Sequence, residues 1–165
     1  MEHEPVTVRK LLFKHGAVWA GDEMGSLCRW TPDLTACTLK KEYYTEIWSF
    51  AVSNDNKTVY TVRDNEIIVA DISSGSSNTV LVNYTLPGRA PVVLDTCEDT
   101  MVCPTRGGME LLVRRKCDNS GSGPTYKDVQ LLKKHDMIIN TVLLQDGLLL
   151  SAGWDARLVF WVSLL

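Results

Sequence analysis

A single arrangement of residues recurs four times along the chain, and it limits the possible folds more than any other feature. Ala20 to Trp30 aligns without a gap on Ser151 to Trp161, each with a small pair, a polar turn, an apolar run and a closing tryptophan. Tyr60 to Asp71 repeats the pattern with Ala70 at the closing position, and Val102 to Arg114 is a weaker copy that closes on Arg114. The closing positions Trp30, Ala70, Arg114 and Trp161 are 40, 44 and 47 residues apart. The longest interval contains Cys117-Asp118-Asn119-Ser120-Gly121-Ser122-Gly123-Pro124, which reads as a flexible loop.

Within each period the chain reads as short strands. Runs rich in Val, Ile, Leu, Thr and aromatics alternate with clusters of Gly, Asp, Asn, Ser and Pro, and helical spacing of apolar residues is scarce. In the second copy, Ile47–Val52 is predicted as an inner strand holding Trp48, followed by strands at Thr58–Val62 and Glu66–Asp71. Asp64-Asn65 is expected to turn the hairpin between the last two, because both residues tolerate a left-handed backbone. Thr79–Leu86 is predicted as the outer strand and Pro91–Leu94 as the next inner one. The last copy should have strands at Ile138–Leu143, Gly147–Ser151 and Arg157–Val162. A period of about 40–45 residues is what a four-stranded propeller blade requires. The expected fold class is therefore all-β, a partial or small propeller of about four blades. Its repeats fall at approximately 6–45, 46–88, 89–136 and 137–165, after a short tail at 1–5.

On these residues the chain resembles the WD-repeat family over roughly 6–165, most closely in the last copy. There Leu131-Leu132-Lys133-Lys134-His135 leads into an inner strand, and Ser151, Asp155 and Trp161 follow. The resemblance implies that His135, Ser151, Asp155 and Trp161 form a buried hydrogen-bonded tetrad. The chemistry suits the role, since a buried indole N–H and a buried imidazole both need partners. Ser53 to Tyr60 is similar to the family's inter-strand turn. The other copies depart from the pattern: Met24 stands where the tetrad Asp would be in the first, Ala70 replaces the Trp in the second, and the third keeps neither. Most members of the family have about seven blades. Four copies, the last reaching only its third strand by Leu165, are expected to be a shortened form of a longer propeller. A half-propeller completed by a partner or a second copy, and a small four-blade ring, are the alternatives. An open arc leaves strand edges through which the chain can self-associate.

Charge and motifs narrow the function. A net charge of -3 gives no broad attraction to nucleic acid or an anionic membrane, and the Arg114-Arg115-Lys116 and Lys133-Lys134 clusters are short and beside strands. No apolar run reaches the ~18 residues of a membrane span, and the acidic Met1-Glu2-His3-Glu4-Pro5 start is unlike a signal peptide. Cytoplasmic or nuclear residence is expected. The five cysteines, at 28, 37, 97, 103 and 117, lack the two-residue spacing of a zinc site, and no metal or cofactor is expected. Ser151, His135 and Asp155 are the residue types of a hydrolytic triad, but no G-x-S-x-G elbow exposes the serine. Arg106-Gly107-Gly108 lacks the lysine and following helix of a phosphate loop.

What remains is binding. The resemblance implies that the residue before the turn aspartate points onto one face of the disc, where partners dock. Trp154, Arg63 and Glu23 hold that position in the last, second and first copies, and Trp48 stands near the channel mouth or between blades. An aromatic and an arginine there are the residues of which binding hot spots are made. The expected function is a non-enzymatic scaffold or adaptor for other proteins, with no direct nucleic-acid contact. A non-catalytic regulatory subunit of an RNA- or protein-modifying enzyme complex is the alternative.

Overall fold

The computed structural model describes residues 6–42, 46–63, 66–72, 77–80, 95–97, 99–105, 107–117, 125–145 and 147–162. Fifteen strands among them form four antiparallel sheets, and each sheet pairs its strands in chain order. The first contains β1 (Val8–Lys14), β2 (Ala17–Asp22), β3 (Ser26–Trp30) and β4 (Cys37–Glu42). The second contains β5 (Phe50–Val52), β6 (Thr58–Arg63), β7 (Glu66–Asp71) and β8 (Ser77–Val80). The third contains β9 (Asp95–Cys97), β10 (Thr100–Pro104), β11 (Glu110–Cys117) and β12 (Thr125–Lys133). The fourth has three described strands, β13 (Ile139–Gln145), β14 (Leu148–Gly153) and β15 (Leu158–Trp161). The fold is all-β, and these four meanders are the blades of a partial propeller.

Short-range chemistry makes the meanders. His15 and Gly16, both with positive φ (52° and 65°), close the two-residue hairpin between β1 and β2, whose register pairs Lys14 with Ala17. Two left-handed residues match the right-handed twist of the strands they join. Along each strand, burial then alternates because successive side chains face opposite sides of a sheet. The pattern is clear in β2, where Ala17 and Trp19 are buried and Val18 and Ala20 are half-buried.

That alternation lets a middle blade bury both of its faces, and three cores result. Trp19 and Leu27 of the first sheet pack with Phe50, Val52 and Val59 of the second and with Ile47 just before it. Ala51, Tyr60, Ile67 and Val69, from the opposite face of the second sheet, pack with Met101 and Cys103 of the third. Tyr60 and Tyr126 join their hydroxyls across this second core at 2.8 Å, with their rings edge to face. Val102, Leu111 and Val113 then pack with Ile139, Val142, Leu144 and Leu149 of the fourth sheet. These cores, stacked one after another, hold the arc together.

Some strand boundaries differ from the sequence expectation. Ile47, Trp48 and Ser49 precede the inner strand, which begins at Phe50, because the Ile47 amide bonds to the Asp22 carbonyl of the neighbouring blade at 3.0 Å. The outer strand of the second sheet is Ser77–Val80, and the third sheet's innermost described strand is Asp95–Cys97. The Asp64-Asn65 turn and residues 81–94, with the strand expected at Pro91–Leu94, lie outside the described residues.

Candidate functional site

The last blade carries a closed chain of polar side chains. His135 lies just before β13, Ser151 on β14, Asp155 in the β14–β15 turn and Trp161 at the end of β15. Ser151 and Trp161 approach one another across the pair β14–β15, where Leu149 is opposite Trp161 and Ser151 opposite Val159. The Trp161 indole N–H donates to Ser151 Oγ at 2.9 Å. Ser151 Oγ lies 2.8 Å from His135 Nε2, and His135 Nδ1 lies 3.0 Å from both oxygens of Asp155. A carboxylate only accepts and an indole N–H only donates, so one direction of donation satisfies every member. The indole donates to the serine, the serine to Nε2, and Nδ1–H to the carboxylate.

Asp155 also accepts the amides of Asp136 (3.0 Å) and Arg157 (3.2 Å), tying the segment before β13 to the turn. Burial works against its ionisation. The His135 bond and those two amides outweigh that effect and hold the carboxyl down at about 2. The arrangement leaves no room beside Gly153: a Cβ there would lie 2.9 Å from Asp155 Oδ1 and 2.9 Å from His135 Nδ1. The network therefore has a fifth participant that the sequence comparison overlooked. Its only trace in the sequence is that a glycine fills that place.

Chemically the arrangement ties the blade's strands together. Ser151 and His135 are buried, and the serine hydroxyl is held between the indole and the imidazole. Among the described residues, no group of three His, Cys, Asp or Glu could hold a metal ion, and no helix is long and apolar enough to cross a membrane.

The surface positions divide into two groups. Glu23 and Trp48 are brought together by Arg9, which the sequence reading did not single out. Its guanidinium pairs with Glu23 at 3.3 Å and Glu46 at 2.6 Å, and lies 4.7 Å from the centre of the Trp48 ring. The Thr7 amide, with Arg9 beside it, holds the Glu23 carboxyl below its ordinary range. Trp154 occupies the turn of the last blade that corresponds to Glu23 in the first. Its backbone amide is anchored on the Ile138 carbonyl at 2.9 Å while its side chain is 56% exposed. Arg63 ends β6, paired with Glu66, and its side chain lies outside the described residues.

No family model matches the sequence, and a comparison with curated proteins finds no match. Solved structures do match. The WD40 repeats of RRP9 superpose with a TM-score of 0.65 at 13% identity, covering 98% of this chain and 52% of that one. U3-55K gives 0.63 at 12% identity, with 98% and 53% covered. The computationally designed Ika4 protein gives 0.59 at 16% identity, with 98% and 94% covered. The chain is thus similar in fold to WD40 propellers and spans about half the length of the first two.

Proposed function

We propose that the chain is a WD-repeat segment, with repeats at approximately 6–45, 46–88, 89–136 and 137–165, and that it acts as a non-catalytic scaffold for other proteins. Support for membership comes from the tetrad geometry and the WD40 neighbours together. The single observation that carries the scaffold reading is Trp154. A large aromatic stands out from a turn whose backbone is fixed by Ile138 and by the Asp155 network behind it. A rigid, exposed indole loses little entropy on binding and offers a large apolar surface, which is why tryptophan is enriched among binding hot spots. Between the first and second blades, the Arg9–Glu23–Glu46–Trp48 cluster adds a charged, aromatic patch beside the corresponding turn.

The test is affinity capture from cell extract with the wild-type chain and with Trp154→Ala. Loss of specific partners at an unchanged melting temperature is the expected result. An identical partner set would refute the role of Trp154. Tight capture of one catalytic chain by both proteins would favour a dedicated enzyme subunit.

A further inference from the structure

The third blade has a neighbour on each side, the second sheet against one face and the fourth against the other. Its two outer strands, β11 and β12, set three pairs of charged residues directly across the ladder, and two of the pairs are matched. Glu110 stands opposite Lys133 and accepts its ammonium at 2.6 Å, and Arg114 stands opposite Asp128 at 2.8 Å. The third pair is Arg115 opposite Lys127, two cations. Directly opposed side chains have Cβ atoms about 5 Å apart, and like charges there repel.

Alternation along the strands fixes where this pair lies. Val113 is buried in the core shared with the fourth sheet, so Arg115, two residues on, stands on that same face. Lys127 is opposite it, while Tyr126 on the other face packs with the second sheet. Asp55 and Asp99 are near that other face: after burial itself, their charges push the Tyr60 hydroxyl up. Thr100 of β10 flanks Arg115 on its inner side. A hydroxyl, a guanidinium and an ammonium thus stand in line across β10, β11 and β12, with Arg115 and Lys127 exposed and Thr100 half-buried. Among the described residues, none of these three side chains has a hydrogen-bond or ion-pair partner.

One dianionic group set over the row would offset both cations. The three terminal oxygens of a phosphate monoester offer one acceptor to each donor, and arginine and lysine are the usual partners of such a group. A polyanion fits less well. The other strand cations, Arg114 and Lys133, are already held by carboxylates, and the chain carries a net charge of -3.

We propose that Thr100, Arg115 and Lys127 form a docking point for one phosphorylated serine or threonine of a partner protein. That the occupant is a protein rests on the scaffold reading, but the row does not use Trp154, so either can fail alone.

Binding of the chain to an immobilised peptide library centred on phosphoserine, beside the same library with plain serine, tests it. The variants are Arg115→Gln and Lys127→Gln. The wild type should prefer the phosphorylated library by about tenfold or more, and each substitution should remove most of that preference. Without peptide, each variant should melt at or above the wild-type temperature, because it loses a repulsion and no bond. Equal binding of the two libraries would overturn the proposal, as would a preference that survives both substitutions or variants that melt lower. Tighter binding of single-stranded RNA than of the phosphorylated library, lost in the same variants, would overturn it in favour of a nucleic-acid site. Capture that still depends on Trp154 while the libraries bind equally would leave the scaffold reading standing and this site refuted.

Discussion

The first and last blades are built from the same eleven-residue pattern and solve the same problem differently. In the last, Asp155 reaches back to His135 and through it to Ser151 and Trp161, so one turn residue ties the entry segment and two strands together. In the first, Met24 is exposed at the aspartate's place and Ala20 stands in place of the serine. The turn is held instead from two residues earlier, where Asp22 Oδ1 accepts the amides of Met24 (2.9 Å) and Ser26 (2.8 Å). Ser26 in turn donates to Glu42 at 2.7 Å. Both devices satisfy the turn's backbone, but only the last blade's device runs across strands through a buried chain. A blade can lose the tetrad and keep its shape, because the inter-blade cores supply the larger stabilisation.

The largest expected effect follows from that difference. Ser151→Ala removes the acceptor of the half-buried Trp161 indole N–H and the partner of the buried His135 imidazole, and should cost about 2–4 kcal/mol of stability in thermal or denaturant unfolding. Ser26→Ala, the comparable loss in the first blade, should cost only about 0.5–1.5 kcal/mol. Equal costs would erase the contrast.

Next come the glycines. Gly153→Ala should cost about 1–3 kcal/mol, since the new Cβ meets the His135–Asp155 pair and also the Ile138 carbonyl at 3.0 Å. Gly21→Ala meets Ile47 at 2.8 Å and Phe50 at 3.0 Å, so it also destabilises, but by pushing on the neighbouring blade. The two are told apart by the Trp161 indole proton, which should lose protection from exchange in the first variant and keep it in the second.

Acid should act on the last blade in a defined direction. The Asp155 carboxyl is held at about 2, below its unfolded value near 4. The stability it contributes is present above about pH 4 and disappears as the pH falls through about 2. Melting curves across this range should be flatter for Asp155→Asn than for wild type. An unchanged slope would mean that Asp155 is not held as described. The slope should not vanish, because Glu23 and Glu42 are shifted in the same direction by Thr7 and by Ser26.

The smallest effect concerns the matching turn positions Gly25 and Ala156, both left-handed with φ of 87° and 58°. Only alanine pays a steric cost there. Ala156→Gly should therefore stabilise by up to about 1 kcal/mol, and Gly25→Ala should destabilise by a similar amount, both read from unfolding midpoints.

Much of this was legible in the sequence, for reasons that also mark where legibility stops. Periodic features carry over directly: the gapless match of Ala20–Trp30 with Ser151–Trp161 corresponds to hairpins of one register, Ala20 opposite Cys28 and Ser151 opposite Val159. Contacts between blades have no such signal. Ile47 reads as strand by composition, yet its amide is taken by Asp22 from the adjacent blade. Arg9 lies in a strand that reads as ordinary, and only folding brings Glu23, Glu46 and Trp48 around it. Burial is likewise invisible in sequence: Leu11 and Val142 are equally apolar and hold matching places in β1 and β13, yet Leu11 is exposed and Val142 is buried against the third sheet.

The most direct test of the contrast between the blades is hydrogen exchange of the tryptophan indole protons, followed by nuclear magnetic resonance in the wild type and in Ser151→Ala. The Trp161 proton should exchange far more slowly than that of the exposed Trp154, and should lose that protection when Ser151 is replaced. Exchange of Trp161 as fast as Trp154 in the wild type would contradict the buried network on which the last blade is said to depend.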